Sequence, residues 1–194
     1  MWSRLLTATG IAICIQALAS TAPQADDAFV FGKDGSHIEF VVHHGGFSLM
    51  KGTFKDFCGQ LSIDPARPQD ASVEVTVLTA SIDAGHSFLD GHLRSRDFFD
   101  VERFPTMAFK SKWVELIDKD RGRIQGELTL LGKTHPLVLE VTLADATGPA
   151  GTEPDVASFT ATGTMTRTAF GMDWGPDGFA EDVDIRIEVA AQRI

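Results

Sequence analysis

From residue 35 to the C-terminus, apolar residues take every second position in one segment after another, the period of a β-strand whose two faces meet different surroundings. Ile38, Phe40 and Val42 alternate with His37, Glu39, Val41 and His43, and Val73, Val75 and Val77 alternate with Ser72, Glu74 and Thr76. Met107, Phe109 and Trp113 are assigned to one face by the same count. Ile124, Gly126, Leu128 and Leu130 oppose Arg123, Gln125, Glu127 and Thr129; Leu137, Leu139, Val141 and Leu143 oppose Val138, Glu140, Thr142 and Ala144. The pattern closes with Ala157, Phe159, Ala161, Gly163 and Met165 against a nearly unbroken Ser/Thr row, and with Val183, Ile185, Ile187 and Val189 against Asp182, Asp184, Arg186 and Glu188.

Two places depart from strict alternation. Between Phe54 and Phe57 the apolar phase slips by an odd number, and a bulge near Lys55-Asp56 would put both rings on one face. From His86 to Phe99 the spacing of Leu89, Leu93 and the Phe98-Phe99 pair is helical, with Ser87 or Asp83 as the candidate cap. Turn chemistry marks Lys33-Asp34-Gly35, Asp64-Pro65, Gly148 to Pro154 and Gly175-Pro176-Asp177-Gly178. The expected fold is all-β: an eight-stranded antiparallel barrel of long, tilted strands with one helix at about residues 86–99. A transmembrane barrel would need an apolar, aromatic outer face. Here the second face is Glu, Arg, Gln, Thr and Lys, so the barrel is expected to face water and not to insert stably in a membrane.

Composition narrows the function. The chain carries 27 acidic and 17 basic residues, a net charge of -10, and clustered cations for nucleic acid are missing. Residues 1–19 have one base, Arg4, and an apolar run from Leu5 to Leu18, the layout of a cleavable secretory signal. Ala17-Leu18-Ala19 places small residues at both recognition positions, so residues 20–194 are expected as a single exported domain. Cys14 lies within the apolar run and follows Ile13, which argues against lipid attachment. Cys58 is then the one cysteine left, and no internal disulfide can form. Nothing around it supplies the base or positive field of a reactive thiol, and it reads as a strand wall residue.

Two stretches carry a family resemblance. His43-His44-Gly45-Gly46-Phe47-Ser48-Leu49-Met50-Lys51-Gly52-Thr53-Phe54-Lys55-Asp56-Phe57, and His92-Leu93-Arg94-Ser95-Arg96-Asp97-Phe98-Phe99-Asp100 followed by Phe104-Pro105 and Phe109, resemble the YceI-like family. Gly126-Glu127-Leu128-Thr129-Leu130-Leu131-Gly132-Lys133-Thr134-His135-Pro136-Leu137 matches a later motif of it, and the likeness covers residues 28 to 192 in order. Cys58 is a departure, standing where relatives carry a polar residue. The resemblance implies a periplasmic protein with an extended lipocalin-like barrel that holds a polyisoprenoid or a related long-chain amphiphile, such as an isoprenoid quinone or a fatty-acid-like lipid. It also allows a homodimer.

The inward rows are the candidate ligand wall: Ile38, Phe40, Val42, Phe109, Trp113, Leu128, Leu130, Leu137, Leu139, Val141, Phe159, Met165, Arg167, Ile185 and Ile187. Gly126, Ala161 and Gly163 on the same rows are expected to leave room beside the rings. Arg167 ends its row with a charge, at what is expected to be a barrel mouth, suited either to an oxygen or phosphate head group or to a carboxylate of the protein. Arg94 is expected to tie the helix to the barrel. His37 and His43 lie six apart on one strand, beyond a shared chelate, and no His-Glu-x-x-His or Gly-x-Ser-x-Gly pattern exists. The expectation is a non-catalytic carrier or sequestering protein with no metal or cofactor beyond a bound lipid. The competing reading is a secreted stress-response or structural module with a solid core, acting through protein contacts. Intact-mass measurement of the protein recovered from the exporting cell is expected to give a chain starting at Ser20; a start at Met1 would remove the export assignment.

Overall fold

A computed structural model describes residues 27–44, 47–64, 67–147, 155–175 and 179–194. Eleven strands follow one another: β1 (Asp27–Gly32), β2 (His37–His44), β3 (Phe47–Phe54), β4 (Phe57–Ile63), β5 (Ser72–Leu78), β6 (Ile82–Asp83), β7 (Thr106–Leu116), β8 (Arg121–Leu130), β9 (Lys133–Thr147), β10 (Val156–Thr166) and β11 (Phe179–Arg193). One α-helix, α1 (Ser87–Arg94), joins β6 to β7, and short 3-10 turns lie at Pro68–Asp70, Thr79–Ser81 and Arg167–Phe170.

All pairings are antiparallel, and the sheet closes on itself because β11 pairs with β10 along one side and with both β1 and β2 along the other. β1 and β2 are successive halves of one stave. The same holds for β3 with β4 and for β5 with β6, since β2 pairs β3, β1 pairs β4, β4 pairs β5 and β3 pairs β6. Counted as staves, the barrel has eight, as the alternation implies.

The breaks are aligned and chemically covered. Between β1 and β2 the chain turns at Gly35 (φ 79°), and the β11 amide it leaves behind, Ala190 N–H, donates to the Ser36 hydroxyl at 3.0 Å. Ser36 is only 2% exposed. At the next break, Lys55 N–H donates to Ser81 O (3.2 Å) and Leu78 N–H to Asp56 O (2.9 Å), so the phase slip between Phe54 and Phe57 is a joint between two strands, and both rings point inward. Thr79, fully buried, donates its hydroxyl to Phe104 O at 2.7 Å. β8 and β9 are joined by Leu131 and Gly132, both at positive φ (52° and 72°), the backbone of a tight hairpin turn matched to strand twist.

The helix is shorter than its sequence pattern. Eight residues are α-helical, with Phe98 and Phe99 in the turns that follow, because Ser95 N–H bonds to His92 O and the chain bends inward there. Neither Ser87 nor Asp83 caps it. The cap position is His86, with no side-chain bond. Asp83 instead receives Gly85 N–H at 2.8 Å and pairs with Lys55, while Asp90, within the first turn, accepts Ala84 N–H at 2.7 Å. Arg94 donates to Ala80 O (2.8 Å) and Ile82 O (2.6 Å), which fastens the helix across one end of the barrel as expected.

Ser36→Ala is expected to lower unfolding stability by about 1–3 kcal/mol, the cost of stranding the Ala190 amide. Denaturant titration checks it; an unchanged midpoint would mean that water replaces the hydroxyl.

Candidate functional site

Alternation puts one face of every stave inside, and together they enclose an apolar cavity of about 490 Å³. Fourteen of the fifteen candidate wall residues line it: Ile38, Phe40 and Val42 of β2, Phe109 of β7, Leu128 and Leu130 of β8, Leu137, Leu139 and Val141 of β9, Phe159 and Met165 of β10, Arg167 just beyond it, and Ile185 and Ile187 of β11.

Trp113 does not. The β7–β8 register shifts between Ser111 and Trp113, and this bulge turns Trp113 to the outside, 49% exposed, while Val114 and Leu116 take the inward positions. Ser111 accepts the Val73 amide at 2.8 Å beside the irregularity. Phe31 of β1, Met50 and Phe54 of β3, and Val73, Val75 and Val77 of β5 also reach the cavity, though none was among the candidates. The valine alternation is visible in the sequence; the six residues of β1 around Phe31 are too few to carry a period.

The glycines do not make the room assigned to them. A Cβ on Gly126 would meet the Phe109 ring and would lie 2.6 Å from Lys110 O; one on Gly163 would lie 2.6 Å from Val138 O and 2.8 Å from Leu139 Cδ2. Rings lie in the same way over Gly52 (Phe40) and Gly59 (Phe31). These positions let large side chains lie flat along the wall, and the lumen is the space left between them.

The two ends differ. At one end Leu93 (1% exposed), Phe98 (6%), Phe99 (7%) and Met172 (3%) close the tube beneath α1. At the other, the wall runs out through Pro68, Ala71 and the β7–β8 turn at 118–122, where Leu116 is half exposed. The charges of this mouth are paired locally. Asp118 accepts the amides of Asp120 (3.0 Å) and Arg121 (2.8 Å) and the Arg121 guanidinium at 2.7 Å, while Lys119 pairs with Asp120 at 3.0 Å. The Asp120 amide first, then Arg121, hold the Asp118 carboxyl below its ordinary value. Its folded-state value being depressed, the turn gains support at pH above the usual carboxylate range and loses it as pH falls through the lowered value.

Arg167 sits at the closed end and not at a mouth, 5% exposed, because β10 ends beneath α1. It pairs with no carboxylate among the described residues. Its Nε donates to Ala180 O (2.9 Å), its Nη1 to Met172 O and to Trp174 O (2.9 Å), and its guanidinium lies 4.8 Å from the Phe179 ring centre.

The described histidines lie on the strands and at the α1 end. His43 meets Asp184 at 3.0 Å, His135 packs edge-on against Phe170, and His92 stacks on Trp174 (4.6 Å) and Phe98 (5.1 Å). No three metal-ligating groups converge among the described residues. Cys58 lies on β4 with its side chain exposed, opposite Thr76.

A family model described as the YceI-like domain matches residues 29–191. The chain belongs to the YceI-like family. Among its relatives it is 36% identical to a UPF0312 protein of Pseudomonas fluorescens over 192 residues, covering 94% of this chain and 96% of that one. It is 41% identical to a UPF0312 protein of Shewanella baltica over 180 residues, covering 88% and 91%. Of solved structures, the YceI protein of Campylobacter jejuni superposes with a TM-score of 0.68 at 30% identity, over 77% of this chain and 88% of that one. BcnA of Burkholderia cenocepacia gives 0.74 at 24% identity, over 82% and 98%. A polyisoprenoid binding domain from Saccharophagus degradans gives 0.59 at 11%, over 86% and 98%. The last two share the fold of this YceI-like barrel.

Asp118→Ala is expected to loosen the mouth without unfolding the barrel. Amide hydrogen exchange at residues 117–121 should rise by an order of magnitude or more while that of β9 and β11 is unchanged; equal protection in both proteins would mean that the turn is held by its backbone alone.

Proposed function

We propose that this protein is a non-catalytic carrier or sequestering protein, exported to the periplasm, that holds one long-chain amphiphile in its lumen. The observation that carries the reading is the apolar cavity, closed at the α1 end and open at the β7–β8 turn. A likeness in fold to a domain described as polyisoprenoid binding supports it. The thirteen apolar wall residues act as tail contacts, with no covalent chemistry.

Length bounds the tail. Phe159 and Arg167 are eight positions apart on one stave, so at ~3.3 Å per residue and ~40° of tilt the lumen between them runs about 20 Å along the axis. An extended chain of ~1.5 Å bonds advances about 1.3 Å per carbon, so about 16 carbons fit and a longer polyisoprenoid or quinone tail continues through the mouth. Ten buried methylenes contribute about 8 kcal/mol, on the scale of micromolar affinity before ordering costs. Hydrocarbon burial is therefore the main source of affinity, and each further buried methylene adds to it. The solid-core alternative is not favoured by a lumen of about 490 Å³.

Native mass spectrometry of the purified protein should show a stoichiometric lipid that organic extraction removes. Leu139→Trp adds an indole where the tail passes. The stripped variant should melt within a few degrees of the stripped parent while lipid titration shows binding falling steeply. In a packed core the same change costs about 1–3 kcal/mol. A variant that melts far lower yet binds normally would put the ligand elsewhere.

A further inference from the structure

The lumen is hydrocarbon nearly throughout, and of the buried charged side chains Asp64, Asp100 and Arg167, Arg167 is the one on its wall. It lies at the closed end, among Met165, Met172 and Phe179. Three backbone carbonyls take the Nε and Nη1 hydrogens, but no acceptor among the described residues takes those of Nη2. A guanidinium that is 5% exposed, meets no carboxylate among the described residues and keeps a donor pair unmatched among them gains from an incoming anion. The mouth offers the opposite: its charges neutralise one another across Asp118–Arg121 and Lys119–Asp120, and Leu116 and Ile117 stand half exposed beside them.

From this contrast, and resting on the carrier reading, we infer that the ligand enters head first: an anionic oxygen head, carboxylate or phosphate monoester, seats against Arg167 Nη2 at the closed end, and the tail runs back toward the β7–β8 mouth. The carbonyls of Met172 and Trp174 already hold the guanidinium fork in place, so the site is formed before the ligand arrives. Neutral heads can use the same tube but gain less from it. The lid, whose Trp174 stacks on His92 of α1, then lies next to the head group and away from the tail.

The lipid-stripped protein is titrated at neutral pH with hexadecanoate, hexadecyl phosphate and methyl hexadecanoate. At least one anion is expected to bind about tenfold or more tightly than the ester, the scale of a charge-assisted hydrogen bond, and the better of the two identifies the head. Equal affinity for the ester and both anions overturns the inference while leaving the carrier reading intact. Binding of none of the three defeats the carrier reading itself. Arg167→Gln should bring the anion-to-ester ratio to about one, and Arg167→Lys should keep part of it; a ratio unchanged in a folded Arg167→Gln makes Arg167 purely a loop anchor. Should either variant fail to fold, orientation is read with Arg167 intact in a Trp113→Phe background. Hexadecanoate brominated near its carboxylate should quench Trp174 fluorescence more than the chain brominated near its methyl end, and the reverse order overturns the head-first arrangement.

Discussion

The hydrogen-bond ladder along β11 is what the rest of the molecule depends on. This strand is 15 residues long, and a tube made from strands has no edge to leave open, so every amide on both of its sides needs a partner. On one side β10 supplies an uninterrupted ladder from Val156 to Thr166. On the other, two shorter strands share the task, and the gap between them falls at Ala190, where a buried serine hydroxyl stands in for a missing carbonyl. The break lets the first stave bend while closure is kept. Aligned breaks in the next two staves let the whole wall turn there, and helix α1 is fastened over the end that the turn produces.

Once the tube is closed, its interior follows from the two-residue period, and the chemistry of the lumen is set by which rows face inward. Rings lying over glycines line the wall closely. The space that remains is along the axis, which suits an extended chain better than a compact ring system. Charge is treated differently at the two ends: in the exposed turn acids and bases sit beside each other, whereas the buried arginine is held, among the described residues, by carbonyl dipoles and the Phe179 ring.

The strand content, the eight staves, the inward rows and the family were all readable in the amino-acid order, because alternation is a local signal and the motifs around residues 43–57 and 92–100 are dense. Trp113 was misplaced because a bulge inserts one residue without any mark in composition; the error begins at the register shift and is confined to the end of β7. Phe54 and Phe57 were placed correctly because their odd spacing is itself the mark. The helix pattern overran its true end, since Phe98 and Phe99 satisfy helical spacing equally well when a turn folds them inward. Arg167 shows a different limit. Its place at the end of an inward row is a matter of counting, but its partners are the carbonyls of Met172, Trp174 and Ala180, and no residue type announces an available carbonyl. The glycines were misread for a related reason: a small residue signals close approach, and only the neighbour's identity decides whether ring or vacancy occupies the space.

One end sealed by Leu93, Phe98 and Phe99 and one end open make the lumen a pouch, not a conduit. A cargo held as proposed would leave by the door through which it came, last carbon in being first out. On the proposed carrier reading, whatever delivers a lipid to this protein and whatever receives it would therefore meet the same face, around the β7–β8 turn, and could not do so at the same time. Transfer would be a relay of two successive encounters, with the protein free in between, and competition between donor and acceptor for that one face would set its direction.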